Sequence, residues 1–533
     1  MSLRALLVIA VAVLQGCGGD DAPPERPPFE PPAAPVPLSE VTDDSPLAAN
    51  CEAGAAGTLY VASEVEPWVA ANPLDANHLI GTWQQDRWSN GGARALLAAV
   101  SRDGGGSWAR RQVPFSRCTG GNSVNGGDYS RATDPWVSFG ADGTAYWMAM
   151  TIGGPDSSAT AMRVARSLDG GDTWEAPITL IHDVAPYQND KNAVTADPTD
   201  ASYAYAVWDR LNSVDNNGPA WLARTTDGGA TWEAARKIYD PGFGVQTIGN
   251  QVAVLPDGTL LNLFTEIRFD GPGPDGSALK VLRSLDHGVT WGTPVTIAEV
   301  LAVGVSDPEN GTAVRSGSML GAIGVAPDGS AWVAWQDARF SGGARDAIAL
   351  SRSDDGGLTW SAPIRVNAAP ETAAFTPAVQ VAADGTVGVL YYDLRDNTAD
   401  SATLLASLWL ATSTDGVAWQ ERLVAGPADL GFAPFALGLF YGDYVGLAAA
   451  NGFVPFFAQQ FPSTANRTNI YAVALPAQPP ATLTATKASY QVGAAPKLAM
   501  TVEWAMRIEQ NIERDRHHFP DDLRPGQLPR YLR

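Results

Sequence analysis

A chain of 533 residues, 45% apolar and only 17% charged, suits one large repeat domain or several ordinary ones with an unusually uncharged surface. Its 35 Lys and Arg stand against 57 Asp and Glu, a formal charge of −22, which excludes a general nucleic-acid binder with a basic footprint. With 54 Gly and 39 Pro the composition points to many turns between short strands, and it excludes a coiled coil, a collagen and a multi-span membrane protein.

Residues 1–16 carry one cation, Arg4, followed by the apolar run 5–14. The run is too short to span a bilayer and has the length of a signal-peptide core. It ends in Leu14-Gln15-Gly16-Cys17, which resembles the lipobox of bacterial lipoproteins. That resemblance implies acylation of Cys17, removal of the segment before it, and attachment to a membrane by lipid alone. Gly18 follows where an inner-membrane retention signal shows Asp, so the outer membrane or cell surface is favoured. An ordinary secretory signal is the alternative. Residues 20–46, rich in Pro, Glu and Asp, read as an extended tether. The expected division is a signal at 1–17, a tether at 18–50, a repeat domain at 51–476 and a linker with a small or truncated segment at 477–533. Cys51 and Cys118 are the other two cysteines, and in an oxidising compartment they are expected to pair; two separate thiols are the alternative.

Six segments share the pattern Ser/Thr-x-Asp-x-Gly-x-x-Trp. They begin at Ser101, Ser167, Thr225, Ser284, Ser353 and Ser413 and end at Trp108, Trp174, Trp232, Trp291, Trp360 and Trp419, the last having lost one residue. Starts fall 58 to 69 residues apart, the period of a repeat architecture. The hydroxyl and carboxylate accept hydrogen bonds from turn amides, the Gly supplies positive φ, and the Trp returns into the sheet. This is the Asp-box of the BNR repeat, and residues 64–475 resemble a β-propeller of the sialidase superfamily. The resemblance implies that the boxes are turns remote from the active site.

Between the boxes runs a second repeat, two apolar strands around an Ala/Pro-Asp-Gly turn. Copies turn at Asp142-Gly143, Asp257-Gly258, Asp328-Gly329 and Asp384-Gly385, with longer turns at 72–77 and 197–202 and a seventh copy over 442–457. Seven hairpins against six boxes favour an all-β propeller of seven blades, with six as the alternative. After residue 476, two short alternating stretches precede 503–514, where Trp504, Ile508 and Ile512 have helical spacing.

Chain direction gathers the starts of first strands and the ends of second strands on one face, opposite the boxes. The starts are Glu66, Asp134, Asp190 with Lys191, Gly249, Leu320, Thr376 and Asp443. Of carboxylates converging there some should bind a cation, pair with Arg or take up a proton; carboxylates that cap strand starts and face water are the alternative. Glu66, Asp134, Asp190 and Asp443 are therefore the candidate metal ligands, with Ca²⁺ the ion such an oxygen site suits, although no spacing diagnostic of a metal or cofactor is present. The second-strand ends repeat an acid with an arginine: Asp86-Arg87, Asp209-Arg210, Glu266 with Arg268, Asp337 with Arg339, and Asp393 with Arg395. Each is either an ion pair within its blade or part of a set of guanidinium groups converging on an anionic ligand. The resemblance implies a Tyr nucleophile activated by Glu and an Asp acid/base. Tyr441 or Tyr444, Glu266 and Asp134 are the candidates, while Asn250-Gln251 stands where the family carries its Glu and the Arg-Ile-Pro motif is absent.

Three functions follow. One is an envelope-anchored, monomeric, non-catalytic propeller binding a carbohydrate or glycoprotein. The second is a sialidase-like exo-glycosidase, and the third a metal-dependent hydrolase.

Overall fold

The computed structural model describes residues 34–154, 159–269, 276–461, 463, 465–478, 489–491 and 500–515. The expected lipidation site, Cys17, lies outside them. The regular structure of the described chain is almost entirely strand and groups into antiparallel sets, each of which runs from an innermost strand outward. The first set holds Leu59–Asn72, Asp75–Trp88, Ala93–Ser101 and Ala109–Arg111. The second begins with Arg131–Phe139, the third with Tyr187–Ala196, the fourth with Val245–Val254, the fifth with Ala322–Val325 and the sixth with Ala374–Val381. A last set joins Gly446–Ala450, Gly452–Gln460 and Thr468–Ala472, and Ser39–Glu40 supplies its fourth strand.

Each innermost strand lies against the next, and that of the last set lies against that of the first. All of them line one central channel of about 640 Å³. This radial, propeller arrangement leaves only short strand edges exposed. Ser39–Glu40 differs from the expected tether to residue 50. It pairs with Thr468–Ala472, and Val41 and Thr42 beside it are buried, because the last set has no fourth strand of its own.

The boxes fold as their chemistry dictates. Ser101 Oγ takes the Gly105 amide at 2.8 Å, Asp103 takes the Ser107 amide at 2.9 Å and hydroxyl at 2.7 Å, and the same bonds recur at Ser167, Thr225, Ser284 and Ser353. The shortened sixth box closes with a Gly416 amide bond to Ser413 at 2.8 Å. Arginines just before three boxes reach a carbonyl in the next box: Arg166 to Gly228 at 2.9 Å, Arg224 to His287 at 2.6 Å and Arg283 to Gly356 at 2.6 Å. The second to fifth sets are thus tied to one another at the box end as well as along their apolar faces.

At the opposite end, five innermost strands shift register by a bulge. In every one the same place holds a left-handed residue: Glu66 (φ 53°), Asp134 (52°), Lys191 (46°), Gly249 (71°) and Thr376 (51°). A side chain there costs about 1–2 kcal/mol of backbone strain, and bulges re-aim side chains.

Cys51 and Cys118 form a disulfide that links the chain before the first set to the loop after it. The helix expected near the C-terminus runs over Val502–Asp515 and buries Trp504, Ile508 and Ile512 against the fourth and fifth sets. Trp504 sits on Gly343, where an added Cβ would lie 2.3 Å from the indole.

Candidate functional site

The bulges at the mouth of the channel, opposite the boxes, carry a knot of buried charge. Lys191 Nζ lies 2.7 Å from Asp443, 3.5 Å from Asp134 and 3.9 Å from Glu66. Its own backbone amide donates to Asp190 at 2.9 Å and to Asp134 at 3.2 Å. Asp443 also takes two bonds from Arg315, Nε at 3.0 Å and Nη2 at 2.5 Å. Gln84 bridges Glu66 and Thr133, and accepts from Arg87 at 2.7 Å. Arg87 and Arg315 both lie on the Phe440 ring, at 4.9 and 4.5 Å. Asp209 is wholly buried nearby, with neither oxygen in a hydrogen bond of proper geometry.

Five carboxyl groups with so few cations cannot all ionise. Burial, opposed by Lys191 and reinforced by Asp134 and Asp443, pushes Glu66 up to about 8. Burial likewise lifts Asp190 to about 7. Asp209 is raised well above the carboxylate range by burial and then by Asp190, with Lys191 and the Gly249 amide acting against it. Burial alone would lower Lys191; Asp134, Asp443, Glu66 and Asp190 outweigh it and keep the ammonium charged. The geometry thus gives protonated and ion-paired carboxyls side by side, the division of labour that acid–base chemistry uses.

Beneath the knot, Trp68 and Trp136 stack with centroids 3.5 Å apart, and Tyr444 meets both edge-on at 6.0 and 5.5 Å. The Tyr444 hydroxyl donates to the Pro135 carbonyl at 3.3 Å. Burial, then the charges of Glu66, Asp134 and Asp443, push its phenol well above the ordinary value.

Glu66, Asp134, Asp190, Asp443, Tyr444 and Arg87 therefore meet at the mouth. Other candidates do not join them. Glu266 is engaged by Lys280 at 2.5 Å and by the Tyr239 hydroxyl at 2.7 Å. Tyr441 is buried against Tyr392, with its hydroxyl accepting the Gln460 amide at 3.1 Å. Arg210 grips Asp183 between the Tyr187 and Trp221 rings. Arg339 holds Asp337, and Arg395 holds Asp393 and Glu421, so these are ion pairs within one blade and not a convergent set. Arg268 is exposed at its strand end.

Two acid–arginine dipeptides split. Asp86 pairs with Arg94 at 2.9 Å while Arg87 turns inward, and Asp209 turns inward while Arg210 turns out. Alternation of side chains along a strand makes neighbours face opposite sides, a signal that was available in the sequence. Arg315 carried no such signal. It arrives on an insertion whose strand Ala313–Arg315 pairs in parallel with Leu439–Phe440, a contact between residues far apart in the chain.

No protein-family model matches the chain. A stretch of 180 residues is 29% identical to a xyloglucanase of a Paenibacillus species, which is 33% of this chain and 16% of that enzyme, so the chain spans about a sixth of the curated relative. Among solved structures it is similar to an α-L-arabinanase of Penicillium chrysogenum complexed with arabinobiose, at 14% identity and TM-score 0.45, over 82% of this chain and 98% of that one. It is also similar to a Hadza microbial sialidase, at 16% identity and TM-score 0.41, over 74% and 76%.

Proposed function

We propose that this chain is a seven-bladed Asp-box propeller that cleaves glycosidic bonds at its channel mouth, anchored in the cell envelope through Cys17. The observation that carries the proposal is Glu66. It is a carboxyl that burial, against the pull of Lys191, pushes up to about 8, beside Asp134 and Asp443, which are paired with cations. Glycosidases use such a pair, a proton donor for the leaving oxygen and an anion for the developing oxocarbenium centre. Glu66 is assigned the donor role. Asp134 or Asp443 takes the anionic one, with Lys191 and Arg315 holding Asp443 in place. Trp68, the more exposed of the stacked pair, offers a ring face to a sugar. The 180-residue likeness to a xyloglucanase supports a polysaccharide as substrate.

The test is release of reducing ends from xyloglucan, arabinan and a sialoside by the purified protein. Turnover is expected on one of them, abolished by Glu66→Gln while the substrate still binds. Turnover unchanged in Glu66→Gln would refute the assignment. Binding without turnover on every substrate would favour the second reading, a non-catalytic glycan-binding module. That reading draws on the burial of the five carboxyls, each at most 6% exposed.

A further inference from the structure

A second cavity opens on the mouth side of the fifth and sixth sets. It is a groove of about 600 Å³, within the range of small-ligand sites. Its walls come from the loops after the second strands, from the insertion before the fifth set and from the C-terminal helix. Arg345, Arg395 and Arg507 all line it, with Glu309, Glu371 and Asn397.

The three guanidinium groups are committed to different degrees. Arg395 is held by the buried Asp393 and Glu421. Arg345 donates to the Pro370 carbonyl at 3.1 Å, and its ion-pair partner at 3.1 Å is Glu371, whose side chain is 86% exposed. Arg507 donates only to the carbonyls of Gly343 and Ala344, at 2.6 and 3.1 Å, and has no ion pair among the described residues. A solvated ion pair such as Arg345–Glu371 exchanges readily for a better carboxylate, because it forfeits little on opening. Arg507 is fixed by the docking of Trp504, Ile508 and Asn511, the last donating to Ala302 at 3.2 Å and Ser318 at 2.9 Å. The helix therefore presents a charged donor on a rigid support to a groove in a chain of charge −22.

We propose that this groove binds an acidic saccharide, with a sugar carboxylate displacing Glu371 from Arg345 and meeting Arg507. Guanidinium forks match planar carboxylates, and the Asn397 amide suits sugar hydroxyls. The inference stands apart from the catalytic assignment, since it needs binding and no turnover.

The test is calorimetric titration of the full chain with three oligosaccharides of equal length: a galacturonate, a neutral glucan and a sulfated glucan. The galacturonate is expected to bind and the neutral one not. Arg345→Ala and Arg507→Ala should each weaken binding about tenfold, while Glu371→Ala should strengthen it several-fold. Arg345 and Arg507 are half-buried and Glu371 is exposed, and unchanged melting curves would exclude unfolding as the cause. No galacturonate binding, equal binding of the neutral oligomer, or indifference to both arginine variants would overturn the proposal. Equal or tighter binding of the sulfated oligomer would overturn carboxylate recognition.

Discussion

Lys191 is the residue on which the mouth depends, because one ammonium answers several buried carboxyls at once. Removing one partner of a buried ionic group leaves uncompensated charge, so Lys191→Met should destabilise the fold by about 3–5 kcal/mol in chemical denaturation. Glu66 makes a different prediction. Its folded value is about 8 against 4.5 for a free carboxyl, so folding takes up a proton between those values. Its contribution is therefore most favourable below pH 4.5 and is lost as pH rises through 8. Stability measured from pH 5 to 8 should fall less steeply in Glu66→Gln than in the parent, and turnover should decline on the alkaline side near pH 8. The acidic strand starts at this site were legible because they repeat at one position of a repeating hairpin. Lys191 was visible at the same position, but its role as the shared counter-ion depends on side-chain reach around the ring, which no sequence spacing expresses. Glu266 and Tyr441 misled because type and loop position alone suggested them, and packing sent both elsewhere.

At the level of the turn, the Asp-box is an acid-sensitive fastener. Hydrogen bonds to the following Thr depress Asp227, Asp286 and Asp355 to about 2, against 3.8 for a free side chain. These carboxylates stabilise the fold above pH 3.8, and that contribution is lost as pH falls towards 2. Melting temperature should drop over this window, and Asp286→Asn should lower it at neutral pH while flattening the acid slope. The boxes and hairpins were readable in advance because every bond in them is local, two to four residues apart. What joins one box to the next was not. Arg166, Arg224 and Arg283 occupy a fixed place before their boxes, but their acceptors are carbonyls 62, 63 and 73 residues away. The fourth strand of the last set was hidden for the same reason, since Ser39–Glu40 has no strand pattern of its own and is defined by its partner.

For the whole molecule, closure is the main structural event. The ring is joined between Thr468–Ala472 and Ser39–Glu40, segments more than 400 residues apart, so no stretch of sequence that lacks either segment contains this junction. The Cys51–Cys118 bridge spans 67 residues next to that junction. A loop of this length gives a chain-entropy contribution of about 4 kcal/mol, and Cys51→Ala with Cys118→Ala should lower stability towards that amount in denaturant titration.

The strand Ser39–Glu40 begins at the box end, where Ser39 Oγ donates to the Gly106 carbonyl at 3.3 Å. The lipid anchor proposed at Cys17 would therefore hold the molecule from its box end, like a lamp on its stem. The charged mouth and the arginine groove both lie at the opposite end from the boxes. On that proposal they would be the first surfaces an incoming polymer meets, and a long polysaccharide would be engaged along its middle without threading between the protein and its anchorage.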